Sequence, residues 1–157
     1  MMIQEHQTLE MHNVLSYRAK MTQPEIAAKM QEVGVILNHS GAQQSGPVVT
    51  TTFSMEPGPS GPVLDFELLV PLDHEIQAPT GFTWKPRFLL TNALMAEHVG
   101  NPAGLEEAAD ELNAYMVSHH LTPISTGYNV TVRDAMTPEE LDQVVIHIYV
   151  GISPNIL

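Results

Sequence analysis

Two polar side chains placed inside otherwise apolar runs raise the question of chemistry in this sequence. Glu67 lies in Asp65-Phe-Glu-Leu-Leu-Val-Pro-Leu72 and His147 in Val145-Ile-His-Ile-Tyr-Val-Gly-Ile152. Both runs read as strands, in which alternate residues share a face. Phe66, Leu68 and Val70 then form one apolar set and Ile146, Ile148 and Val150 another, leaving Glu67 with Leu69, and His147 with Tyr149, on the opposite faces. An acid, an imidazole, a phenol and a leucine on a helix-free sheet face can line a ligand cleft. The plainer alternative is a solvated face, as half-exposed antiparallel sheets usually have. Glu97, paired with Tyr149, or Glu67 with His147, could also activate a water as a general base. A charge that keeps a strand edge from aggregating would explain Glu97 without catalysis. Trp84, Phe82 and Tyr17 would roof such a cleft, or serve as core aromatics.

Other reactive arrangements are poorly supported. The chain has 8 His, but His119 and His120 are adjacent and point apart, and a helix C-terminal dipole accounts for them. No His-x-x-x-His or Glu-x-x-His pair occurs, so no metal is expected, and no cofactor. Ser54, Ser60 and Ser118 have no visible base partner, and Gly-x-Ser-x-Gly is absent. With 0 Cys, disulfides, thiolate metal sites and thiol nucleophiles drop out together.

The elements that must position these residues repeat in order. Asn13–Ala19 is strand-like, and Thr22-Gln-Pro-Glu25 is a capping box opening a helix. That helix carries Ile26, Met30, Val33 and Leu37 on one face and stops at Gly41. Strands at 48–53 and 63–70 follow, separated by the loop Glu56-Pro-Gly-Pro-Ser-Gly-Pro62. A linker, Asp73–Lys85, leads to a strand at 88–99. Asn101-Pro102 then caps a second helix, whose stripe is Leu105, Ala109, Leu112 and Met116. Strands at 128–132 and 144–150 close the order, with a helical turn at Thr137-Pro-Glu-Glu140. Strand–helix–strand–strand thus occurs twice, offset by roughly 80 residues. The halves, 13–73 and 86–152, share pattern but little identity. The expectation is one α+β domain over residues 1–157, an antiparallel-rich sheet with both helices on one face and a cleft on the other.

Charge narrows the partners. The chain of 157 residues has 6 Lys and Arg against 18 Asp and Glu, a formal net charge of −12. Phosphate backbones are repelled by such a surface, so nucleic acid is not an expected partner. An acidic cleft concentrates cations. Residues 1–13 carry Glu5, His6, Glu10 and His12 without an apolar core, unlike a signal peptide. No apolar run approaches the roughly 18 residues of a membrane span. A cytoplasmic protein without membrane contact is expected.

From Ala93 onward the sequence resembles a family. The run Ala93-Leu-Met-Ala-Glu-His98-Val-Gly100-Asn-Pro-Ala-Gly-Leu105-Glu-Glu-Ala-Ala-Asp-Glu-Leu112 is similar to the strand, His-x-Gly turn and helix of gyrase-inhibitor-like (GyrI-like) effector-binding domains. These are the small-molecule-binding halves of multidrug-sensing and AraC-type regulators, related to SOUL-like proteins, and also occur alone. Tyr115, His120-Leu-Thr-Pro123 and the closing run from His147 to Ile152 are similar as well. The resemblance spans most of 13–152 and is sharp from about residue 86. It implies a duplicated strand–helix–strand–strand fold whose central cleft takes amphipathic, often cationic molecules. The family's pocket glutamate falls here on His147, and its proline on Gly151. Glu67 would then supply the lost charge, and protonation of His147 beside it would cancel that charge below about pH 6.5.

Three functions follow as expectations. The first is binding or sensing of a small organic ligand without a DNA-binding segment, reported through a partner protein or by sequestration. The second is a protein–protein inhibitor or adaptor, which an acidic surface suits. The third is hydrolysis of reactive small molecules, as in some members of the resembling family.

Overall fold

Strand β1 runs over Met2–Met21, beginning well before the expected start at Asn13. The strand carries two residues with positive φ, His6 at 58° and Asn13 at 55°, a conformation short polar side chains such as asparagine tolerate. The computed structural model describes residues 1–156, which fall into two units. One comprises Met11–Phe88; the other comprises Met1–Glu10 and the chain from Leu89 onward. In sequence order the chain is α+β, strand–helix–strand–strand twice, as the sequence pattern implies.

In the unit Met11–Phe88, helix α1 covers Gln23–Ser40. The Glu25 carboxylate accepts from the Thr22 N–H at 3.1 Å and from its hydroxyl at 2.9 Å. The backbone bond, then the hydroxyl, hold the Glu25 carboxyl below its ordinary range. The helix ends where Gly41, at φ 71°, donates its N–H to the Leu37 carbonyl at 3.0 Å. Val33 is its fully buried residue, with Ile36 and Leu37 beside it in the core. Met30, expected on that face, is instead exposed; the stripe has rotated toward Ile36. Strands β2 (Val49–Glu56) and β3 (Val63–Pro71) follow. β3 is central, antiparallel to β1 through Tyr17↔Leu68 and Arg18↔Glu67, and to β2 through Val49↔Leu69 and Thr51↔Glu67. The core on the α1 side comprises Leu15, Val33, Ala42, Leu68, Val70 and Leu72. Each leucine or valine among them contributes about 1.5–3 kcal/mol by leaving water.

Strand β4 spans Thr83–Val99, so Trp84 and Lys85 are strand residues rather than linker. In the other unit, the Asn101 side chain accepts from the Ala103 N–H at 2.9 Å. It caps a short turn, Pro102–Gly104, that leads into helix α2, Leu105–Ser118. Ala108, Leu112 and Met116 are the buried residues of α2, Ala108 taking the place expected of Ala109. Strands β5 (Pro123–Arg133) and β6 (Val145–Ile152) complete the unit, with a helical turn at Pro138–Gln143 between them. β6 is central, paired antiparallel with β4 and β5. No helix among the described residues is long and apolar enough to cross a membrane.

Candidate functional site

On β3 the face turned from the α1 core is not solvated. Leu69 is fully buried and Glu67 is 6% exposed, beside the buried Ser16 and Thr51. A buried carboxylate requires hydrogen-bonding or charged partners. Glu67 has both on one oxygen: the Ser16 hydroxyl donates to Oε2 at 2.5 Å, and the Lys85 ammonium at 2.6 Å. The ladders bring Thr51 and Ser16 to this acid, since Thr51 is directly opposite Glu67 and Ser16 is opposite Leu69. Arg18, also opposite Glu67, forms a bidentate pair with Asp65 at 3.1 and 3.0 Å. That guanidinium holds the Asp65 carboxyl below its ordinary range.

Tyr17 and Trp84 join the apolar cluster of Leu68 and Val70, on the α1 side. Tyr17 packs against Phe82 at 5.0 Å between ring centroids, and the Lys29 ammonium lies 4.2 Å from its ring centre. They are core aromatics on the face opposite Glu67.

The other unit has a second polar cluster on its central strand. Glu97 is directly opposite His147 in the β4–β6 ladder, and its carboxylate lies 2.9 Å from the His147 Nε2. Their side chains are 31% and 20% exposed, so water reaches both. Tyr149 is opposite Met95 on one side and Tyr128 on the other. Its ring meets His147 edge-on at 6.4 Å. Burial pushes the Tyr149 phenol above its ordinary range. The partner of His147 is therefore Glu97, and the partner of Glu67 is Lys85.

Ser16, Thr51 and Lys85, which the sequence reading did not single out, surround Glu67. The signal was available for Lys85, which alternates with Trp84 once 83–85 is read as strand. For Ser16 it lay in the strand itself, where Leu15 and Tyr17 take the core side. Two further histidines make local contacts within the unit that holds His147. His98 hydrogen-bonds the Asn101 carbonyl at 3.0 Å, and His119 stacks on Tyr115 at 3.8 Å. Among the described residues no group of three His, Asp or Glu could hold a metal ion.

No protein-family model matches the chain, and no curated protein matches it by sequence. Solved structures do match by fold. The C-terminal domain of EcmrR superposes with a TM-score of 0.75 at 12% identity, over 98% of this chain and 99% of that one. In the complex of EcmrR with DNA the score is 0.73 at 11% identity, and the chain spans 57% of the EcmrR length. SAV2435 bound to tetraphenylphosphonium gives 0.51 at 12% identity, over 98% of this chain and 93% of that one. A hydrolase from Listeria innocua gives 0.59 at 9% identity, over 95% and 93%. The fold is thus the one that the sequence resemblance implies.

Proposed function

We propose that the chain is a small-molecule-binding domain whose ligand is an amphipathic organic cation. The observation that supports this most is Glu67, a carboxylate on a sheet face turned from the helix-backed core and surrounded by buried Leu69, Ser16 and Thr51. Keeping an acid there costs folding energy that an apolar residue would not; a ligand-binding role accounts for that cost. Fold likeness to SAV2435, which was solved with tetraphenylphosphonium, fits the same reading. Leu69 lies beside Glu67 on that face, and His147, Tyr149 and Glu97 form the polar face of the other unit. The net charge of −12 disfavours direct contact with nucleic acid, so ligand occupancy would be passed to a partner protein. The test is calorimetric titration with tetraphenylphosphonium and a panel of hydrophobic amines. Glu67→Gln should weaken cation binding by about 1–3 kcal/mol, the scale of a charged hydrogen bond. Equal affinity in both proteins removes Glu67 from the site.

A hydrolase is favoured by one observation, the 2.9 Å Glu97–His147 pair, because a carboxylate orients an imidazole for general base work. Turnover of activated aryl esters that disappears in His147→Gln would support it. Turnover unchanged by that substitution would remove His147 as the base.

A further inference from the structure

The ammonium of Lys85 already occupies the place a cationic ligand would take. Its Nζ is 2.6 Å from Glu67 Oε2, and the Ser16 hydroxyl donates to that same oxygen at 2.5 Å. The two partners differ in their access to water: the Glu67 side chain is 8% exposed and that of Lys85 is 34% exposed. The acid is therefore fixed in the sheet, whereas the lysine has a long stem and a route outward. Lysine ammonium groups are strongly hydrated and their stems flexible, so the head group can leave for solvent and the carboxylate cannot.

We propose that Lys85 is a tethered competitor that a ligand must displace from Glu67, and that the ligand is therefore a protonated amine bearing N–H donors on an apolar body. This rests on the small-molecule-binding reading above and narrows its ligand class. Displacement by an N–H donor replaces the charged hydrogen bond at Oε2 one for one. A quaternary cation neutralises the charge but leaves that hydrogen bond unmade, in a place where water cannot supply it. An unmade bond to a buried charged group weakens binding by about tenfold or more. A tethered group acts at an effective concentration in the range of about millimolar, so the lysine lowers the apparent affinity of every cation that uses Glu67. The neighbouring basic group on this face, Arg18, is engaged by Asp65 at 3.0 Å and leaves the competition to Lys85.

The experiment titrates phenethylammonium and its N,N,N-trimethyl analogue into the full chain at pH 8, in wild type, Lys85→Met, Lys85→Gln and Lys85→Arg. Removing the charge at Lys85 should tighten both probes by about tenfold or more, Lys85→Arg should stay near wild type, and the N–H probe should bind more tightly than its trimethyl analogue throughout. The glutamine variant keeps a donor for Glu67 and serves if the methionine variant does not fold. A second measurement needs no variant: saturating phenethylammonium should raise acetylation of Lys85 by acetic anhydride, read by peptide mass. Binding to wild type without tightening in either neutral variant, or without a rise in Lys85 labelling, overturns the competitor role while leaving small-molecule binding standing. Equal binding of the two probes overturns the N–H requirement. If neither probe nor tetraphenylphosphonium binds wild type or any variant, the small-molecule reading fails, and this proposal with it.

Discussion

The central strands β3 and β6 solve one problem with opposite polarity. In β3 the central residue is the acid, Glu67, and the start of β4, a strand that does not pair with β3, brings the cation, Lys85. In β6 the central residue is the imidazole, His147, and the flanking strand β4 brings the acid, Glu97. The first carboxylate is buried, whereas the second pair is open to water. Burial, more than distance, sets what each pair does. At 2.6 and 2.9 Å the contacts are similar, but coupling between charges weakens strongly as water enters. The Glu67 pair is thus the more strongly coupled of the two.

Substitution should expose that asymmetry. Lys85→Met leaves the buried Glu67 without its cation, a change that for a fully buried pair costs about 3–5 kcal/mol. Because Lys85 is one-third exposed, we expect about 2–4 kcal/mol in urea unfolding. His147→Leu, in the solvated pair, should cost under about 1 kcal/mol. Equal losses would break the comparison.

The strands also differ four positions further on. Pro71 follows Val70 in β3, and Gly151 follows Val150 in β6, where the resembling family has proline. The structure explains the glycine. A Cβ at Gly151 would stand 2.7 Å from Leu90 Cδ1 and 3.2 Å from Ser125 Oγ, and the Gly151 N–H donates to that Ser125 hydroxyl at 2.8 Å. Gly151→Ala should therefore destabilise by about 1–3 kcal/mol through overpacking. Gly151→Pro should cost more, since it also deletes the donor. Thermal unfolding of both variants checks the order, and a proline variant as stable as the alanine would show that the Ser125 contact contributes nothing. A smaller effect is expected of Glu97→Gln. It keeps an acceptor for His147 and removes only a solvent-screened charge, so stability should change by under about 0.5–1 kcal/mol.

How far all this was legible follows from the physics of each signal. Caps and alternation are local, and they were read correctly at Thr22, Gly41, Asn101 and along β3 and β6. Helix faces were read to within one residue, and Met30 and Ala109 are the cost of that tolerance, since one position turns a side chain by about 100°. The beginning of β1 was missed because Gln4-Glu5-His6-Gln7-Thr8 is five polar residues in a row, without the alternation that marks a strand. The site was half legible. Alternation singled out Glu67 and His147, but their partners come from strands distant in sequence. Ser16 is 51 positions from Glu67 and Glu97 is 50 from His147. Only strand register decides which residues face each other. Tyr17 and Trp84 were placed over the cleft because aromatic type says nothing of the face a strand residue takes.

The finest test of the contrast between burial and pairing lies in two phenols of one unit. Tyr149 and Tyr115 both titrate above the ordinary tyrosine value, for different reasons. Burial alone raises Tyr149. Tyr115 is raised first by its hydrogen bond to the Glu5 carboxylate, at 2.8 Å. A raised phenol favours the neutral form in the folded state. Its contribution to stability is therefore whole below the unfolded value of about 10 and is lost as pH climbs through the higher native value. Absorbance titration of the phenolates should resolve the pair. Glu5→Gln should bring the Tyr115 transition down toward the ordinary value and leave that of Tyr149 where it is. Tyr149→Phe should remove one late transition outright and soften the alkaline loss of stability, while Tyr115 keeps its own. A Tyr149 transition that moves with Glu5→Gln would mean its shift is carried by charge, and burial would no longer separate the two clusters.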